Sequence, residues 1–274
     1  MPEPTAPLLS VKHLKVAYPV RSSILLRRIG ENVAVSDVHF DINPGETVGL
    51  VGESGSGKST VARTVIGLIR PDGGSIEFEG RDIAGSTPRQ LRNVRRDMQM
   101  IFQDPYASLN PRLTVRDLIA EGWLVHRGVV PRNRWTAEVQ ELMERVGLNP
   151  DYASRYPHQF SGGQRQRISI ARALALRPKL IICDEAVSAL DVSVQAQVLN
   201  LLDDLQRDVG LAYLFISHDL SVIEHLCDRV LVLNKGVVVE QGSARELFEH
   251  PKDEYTKALF RAVPVVRPWL DSGS

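Results

Sequence analysis

The chain has 274 residues, with 33 basic and 33 acidic side chains; it is long enough to bury a full core, and no net charge draws it towards an acidic polymer. No stretch approaches 18 apolar residues, and the start Met1-Pro2-Glu3-Pro4-Thr5 lacks the basic and apolar regions of a secretion signal, so a chain neither spanning nor secreted is expected. Two cysteines without metal-type spacing, Cys183 and Cys227, are expected to be small core residues rather than a disulfide.

In chain order, Leu8 to Val16 alternates as a strand does, a basic stretch with Arg21, Arg27 and Arg28 interrupts it from Pro19 to Gly30, and strand character returns at Val33 to Ile42. Two antiparallel strands with an excursion between them are expected. Pro44-Gly45 then turns the chain into an apolar strand, Thr47 to Val51, which runs into Gly52-Glu53-Ser54-Gly55-Ser56-Gly57-Lys58-Ser59. This fits the P-loop pattern G-x-x-x-x-G-K-[ST]. Glycine lets the backbone turn tightly, the following helix start favours anions, Lys58 brings a compact charge to phosphate, and the Ser59 hydroxyl can ligate Mg²⁺. The alternative is a glycine-rich connection with no ligand. The helix, about Lys58 to Ile69, stops at Pro71 and Gly73-Gly74, and a short strand follows at Ser75 to Glu79.

From Thr87 the chain is basic and helical, with Arg89, Arg92, Arg95 and Arg96, and no aromatic residues interleave as they would in a nucleic-acid surface. A strand, Met98 to Phe102, leads to Gln103 and a loop to Pro111, and Val115 to Val146 reads as helices broken at Gly128 to Asn133. A second glycine-rich helix start, Ser161-Gly162-Gly163-Gln164, opens a helix that ends before Pro178. The continuous apolar run Leu180 to Cys183 suits a parallel strand covered on both faces, and it ends in Asp184-Glu185. Beside a P-loop such carboxylates can hold Mg²⁺ (Asp184) and polarise water (Glu185); alone they would only cap a strand. A helix from about Val192 to Asp208, the strand Leu211 to Ser217, His218, a helix to Cys227, and strands at Arg229 to Asn234 and Val237 to Glu240 complete the alternation of a covered sheet. His218 also follows an apolar strand, where α/β sheets gather ligands; its other reading is a structural histidine.

These residues resemble the ATPase subunits of ATP-binding cassette transporters over nearly the whole chain. On that resemblance the fold class is α/β: a P-loop NTPase (RecA-like) core with an antiparallel β subdomain (1–102 and 168–250), an inserted helical subdomain (103–167) and a C-terminal extension (251–274). Gly52, Ser54, Gly55, Ser56, Gly57, Lys58, Ser59 and Thr60 look like the Walker A motif. Tyr18 resembles the aromatic that stacks on adenine, although the basic insertion separates it far from the loop. The resemblance makes Gln103 the Q-loop, Leu180 to Asp184 the Walker B motif, Glu185 the catalytic glutamate and His218 the switch histidine. Ser59, Gln103 and Asp184 would hold Mg²⁺, and Ser188-Ala189-Leu190-Asp191 would be the D-loop. Ser161, Gly162, Gly163 and Gln164 resemble the signature, which contacts ATP on an opposite subunit. One departure is Ala186-Val187 where many members have Pro-Thr.

The stretches Phe102 to Arg112 and Cys183 to Val194 and the ending His250-Pro251 through Tyr255 to Pro264 resemble the oligopeptide/dipeptide importer branch, F-type subunit. That implies ATP and Mg²⁺ as cofactors, a D-type ATPase as heterodimer partner, two permeases, an extracytoplasmic solute-binding protein acting indirectly, and a peripheral place on the cytoplasmic face of a bacterial plasma membrane. The solute would be a short peptide, with glutathione, nickel or another small solute as alternatives. A soluble cassette ATPase acting on nucleic acid or ribosomes is the rival class, disfavoured by a single cassette and neutral charge. A catalytically idle cassette would need a lost Glu185 or His218.

Overall fold

The computed structural model describes residues 6–21 and 28–262. Its elements run β1 (Leu9–Arg21), β2 (Arg28–Ile42), β3 (Thr47–Val51), α1 (Lys58–Val65), β4 (Gly73–Phe78), β5 (Arg81–Asp82), α2 (Pro88–Asp97), β6 (Met98–Ile101) and α3 (Pro105–Ser108). There follow α4 (Val115–Val125), α5 (Trp135–Arg145), α6 (Gly162–Leu174), β7 (Leu180–Asp184), α7 (Val192–Val209), β8 (Ala212–Ile216), α8 (Leu220–Leu226), β9 (Arg229–Asn234), β10 (Val237–Ser243), α9 (Ala244–Glu249) and α10 (Glu254–Ala262). The chain divides into two compact units, one holding Met1–Leu91 with Tyr213–Ser274 and the other Arg92–Ala212.

In the first unit the strand order is β5-β4-β1-β2-β10-β9-β3-β8. β3 pairs in parallel with β8 and β9, and all five of its residues are buried, as are all five of β8. Continuous burial is why these strands read as unbroken apolar runs. The β1–β2 pair is antiparallel; Leu8 to Val11 are buried without a break, the register shifts between Val11 and Leu14, where His13 takes φ 50°, and alternation follows with Leu14 and Val16 buried and Lys15 exposed. The expected excursion at 19–30 is corrected: pairing continues through Tyr18↔Asn32, Pro19↔Glu31 and Val20↔Gly30 to Arg21↔Arg28. Ladder hydrogen bonds do not require an apolar pattern, so a ribbon that leaves the core loses its sequence signal without losing its strands. Arg27 and the rest of 22–27 lie outside the described residues. α1 is also shorter than expected, since Gly67 turns at φ 73° and the Leu68 N–H donates back to the Arg63 carbonyl, closing the helix before Pro71.

In the second unit β6 and β7 pair in parallel, Met98↔Leu180 through Ile101↔Cys183. The helices bury Leu118, Ile119, Val139, Met143, Ile168 and Ile170. Trp123 of α4 is buried, and its indole N–H donates to the Ala175 carbonyl at the end of α6 at 2.7 Å. The units part at 91/92 and 212/213, and in the second α6 packs on both β6 and α4. The loop after Gln103 contains the one-turn α3, where the Asp104 carboxylate accepts from the Tyr106 N–H at 2.7 Å and Pro105 opens the turn. Sequence reading left α9 and α10 unassigned. The ending beyond 262, expected to be loosely ordered, lies outside the described residues.

Cys183 and Cys227 are both buried and neither is in a disulfide, as expected. Burial, and then the neighbouring Asp184 carboxylate, push the Cys183 thiol up. Such a thiol is packing, not chemistry. Among the described residues no helix is long and apolar enough to cross a membrane.

Candidate nucleotide site

Between β3 and α1, residues Gly52 to Gly57 form a loop whose lip, Glu53-Ser54-Gly55, is exposed while Gly52 and Ser56 are buried. Gly52 has φ 153°, and a Cβ there would lie 2.1 Å from the Leu233 carbonyl oxygen; at Gly57, φ 110°, it would lie 2.5 Å from the Ala34 oxygen. These two positions admit no side chain. A Cβ at Gly55, by contrast, meets nothing within 4 Å, so the loop is open on that side. Lys58 is buried, and its ammonium donates to the Gly52 and Glu53 carbonyls at 2.7 and 2.8 Å. The α1 N-terminus has Gly57 as its cap and no side-chain cap bond, and the Ser56 hydroxyl is buried without a hydrogen-bond partner among the described residues. A helix start without a side-chain cap, a lysine and an open glycine lip suit the phosphates of a nucleotide.

Two further predicted residues come to this loop within the same unit. Tyr18, 42 positions from Thr60 in sequence, places its hydroxyl 3.4 Å from the Thr60 hydroxyl in the first turn of α1. The distance that seemed unusual in sequence is therefore closed by the β1–β2 ribbon. His218 is exposed two residues beyond Ile216, whose register partner Leu50 lies two residues before Gly52. Parallel register thus puts His218 and the loop at the same strand ends. Ser217 helps aim it, its hydroxyl accepting from the Asp219 N–H at 2.9 Å.

The second unit repeats this logic. Ile101 pairs with Cys183, so Gln103 and Glu185, each two residues further on, face one another, and the Gln103 amide donates to the Glu185 carboxylate at 2.7 Å. Asp184 is buried at the end of β7, and Glu185 is half-buried with φ 51°. The Glu185 carbonyl accepts from the Ser188 N–H at 3.1 Å and from its hydroxyl at 3.0 Å. The Val187 carbonyl accepts from the Leu190 N–H, and Asp191 caps α7, so Ser188 to Asp191 is a turn built directly on the glutamate. Ala186 and Val187 are each 2% exposed, which gives the departure at these positions a packing role.

Ser161 caps α6: its hydroxyl accepts from the Gln164 N–H at 3.3 Å, and the Gln164 amide oxygen accepts from the Ser161 N–H at 3.1 Å. This reciprocal capping box is a local reason for serine and glutamine at that spacing. Gly163 is required by space, since a Cβ there would lie 2.2 Å from Val194 Cγ1, whereas at Gly162 the nearest atom, in Leu190, is at 3.7 Å. Sequence reasoning missed what else α6 holds. Arg165 stacks over Tyr106 at 3.9 Å, the Ser169 hydroxyl lies 3.4 Å from that of Ser108, and Arg172 donates to the Ser108 carbonyl at 2.8 Å. Their i, i+4, i+7 spacing was the available signal for one face gripping the loop after Gln103.

No group of three His, Cys, Asp or Glu among the described residues is arranged to hold a metal. The donors expected for Mg²⁺ are of another kind: the Ser59 hydroxyl, the Gln103 amide oxygen and the Asp184 carboxylate are hard oxygens, few in number. That set fits an ion that keeps waters and phosphates in its shell.

A sequence profile described as ABC transporter matches residues 35–188. The chain is 56% identical over 262 residues to the glutathione import ATP-binding protein GsiA of Escherichia coli K12, and equally to that of Shigella boydii serotype 4. Those matches cover 96% of this chain but 42% of each relative, so the chain spans under half their length. Among solved structures it is similar to the ATP-binding cassette MJ0796, a dimer in a post-hydrolysis state bound to ADP and Pi (TM-score 0.75, 27% identity, 86% of this chain and 99% of that one). It is likewise similar to cbiO1 from Clostridium perfringens, part of the ABC transporter complex cbiONQ (TM-score 0.76, 26% identity, 89% and 91%). With P-loop, strand-end carboxylates and overall fold in agreement, the chain belongs to the ABC transporter family, among its ATP-binding cassettes.

Proposed function

We propose that the chain is the ATP-hydrolysing cassette of an importer that takes up short peptides, glutathione among them. The observation that carries the hydrolytic part is the 2.7 Å bond between Gln103 and Glu185, on a glutamate held at φ 51° by the turn that follows. Glu185 polarises the attacking water, and Gln103 holds its carboxylate in place. Lys58 and the α1 N-terminus balance phosphate charge, while His218 reaches the γ-phosphate. Tyr18 takes the adenine. Ser59, Gln103 and Asp184 are the oxygen donors that would hold Mg²⁺, which would supply further charge compensation. Ser161 to Gln164 serve ATP on a second cassette, and Ser188 to Asp191 face that partner. Here the partner would be a separate D-type subunit.

The importing part rests on the 56% identity to glutathione import proteins. Glutathione is a tripeptide, so the peptide and glutathione readings share one solute class. The cassette would sit on the cytoplasmic face of a bacterial plasma membrane, docked on two permeases through the loop after Gln103 and the helical insertion, with solute chosen by a binding protein. Glu185→Gln keeps size and hydrogen bonding but removes the base. ATP turnover at this cassette's site in the assembled complex is expected to fall at least about a hundredfold. Wild-type turnover would overturn the assignment.

A further inference from the structure

The C-terminal helix reaches the nucleotide loop. The Tyr255 hydroxyl of α10 accepts a hydrogen bond from the Glu53 backbone N–H at 3.0 Å, across 202 positions of sequence. That N–H belongs to the Gly52–Glu53 peptide, and the carbonyl of the same peptide accepts from the Lys58 ammonium at 2.7 Å. One planar unit is therefore held at both ends, by Tyr255 on its donor side and by Lys58 on its acceptor side. Rotation of that peptide would swing the carbonyl away from Lys58. A bonded N–H also polarises its carbonyl and strengthens it as an acceptor.

The tyrosine is itself held firmly. The Glu240 carboxylate of β10 accepts from the Lys252 and Asp253 N–H groups at 2.8 and 3.1 Å. Burial alone would raise the Glu240 carboxyl, yet the Lys252 and Asp253 N–H groups and the Lys252 charge hold it below the usual carboxylate range. The Asp253 carboxylate accepts from the Tyr255 and Thr256 N–H groups at 2.8 and 3.3 Å, capping α10, and Thr256 is fully buried. Phe248 of α9 stacks on Phe260 of α10, centroids 4.6 Å apart and 9° from parallel. The hydroxyl is thus presented by a braced helix rather than a loose tail.

We propose that Tyr255 is a positioning residue for ATP binding, fixing the Gly52–Glu53 peptide and through it Lys58. The proposal rests on the nucleotide-site reading of the loop. Removing the hydroxyl leaves the ring in place but frees the peptide, so the loop must be ordered anew each time nucleotide binds.

The test is Tyr255→Phe in the full-length chain, with ATP affinity measured by titration calorimetry and KM and kcat measured in the assembled complex. The Kd and KM for ATP are expected to rise together, about two- to tenfold, the range of one net hydrogen bond, while kcat at saturating ATP and the melting temperature stay near wild type. Wild-type affinity in Tyr255→Phe, with loss confined to Tyr255→Ala, would reduce the residue to ring packing and overturn the proposal. Failure of the wild-type chain to bind ATP would overturn the nucleotide-site reading and this proposal with it.

Discussion

Glu185 is the residue where backbone strain and proposed chemistry coincide. A non-glycine residue at φ 51° costs on the order of 1 kcal/mol or more, and here the Ser188 N–H and hydroxyl hold its carbonyl in that conformation. Sequence identified the carboxylate by its place after an apolar run, but not the strain, because φ is set by the turn that follows. Gly163 shows the converse. Its reading as part of a signature gave no reason for glycine over alanine; the reason is Val194, 2.2 Å from where a Cβ would stand. Valine cannot swing aside cheaply, being stiff at χ1. Gly163→Ala should therefore destabilise the chain by about 1–3 kcal/mol in urea unfolding, and Val194→Ala in the same chain should recover part of that loss. Simple addition of the two single-variant effects would refute the contact.

At the scale of elements, strands covered on both faces were the most legible part. β3, β7 and β8 are continuous apolar runs with every residue buried, and the candidate residues at their ends followed directly. The outer β1–β2 ribbon was not legible, since Tyr18 and Pro19 and their partners Asn32 and Glu31 are exposed and impose no apolar pattern. α9 and α10 escaped notice because helices of six and nine residues carry too few turns for periodicity to show. α6 was legible as a helix, but not the work of its arginines: Arg165, Arg167 and Arg172 each donate to a backbone carbonyl, of Pro157, Val146 and Ser108. Burial holds the Arg172 guanidinium below its ordinary range, countered in part by Glu121. Charge-assisted bonds to carbonyls are among the stronger ones. Arg172→Met keeps the packing stem and removes that donor. Amide exchange at residues 106–109 should quicken, with about 1–3 kcal/mol of stability lost. Unchanged protection there would mean that α6 does not hold the loop after Gln103.

For the molecule as a whole, the question is how many chains make one working site. The loop Gly52 to Ser59 holds a lysine and a helix start without a side-chain cap, which make one wall of the proposed phosphate site. The motif proposed for the far side, Ser161 to Gln164, satisfies the N–H groups at its two ends, of Ser161 and Gln164, through the capping box, and the N–H groups of Gly162 and Gly163 between them are those proposed to meet an outside anion. With 33 charges of either sign, no bulk repulsion opposes the proposed pairing, and no bulk attraction drives it. It follows that the isolated chain should bind ATP while turning it over slowly, and turnover per chain should climb with chain concentration as pairs form. Light scattering and a steady-state assay on the same samples would decide the matter. Turnover at the rate of the assembled complex by a species that scatters as a monomer would show that one chain completes its own site, and the proposed role of Ser161 to Gln164 would have to be abandoned.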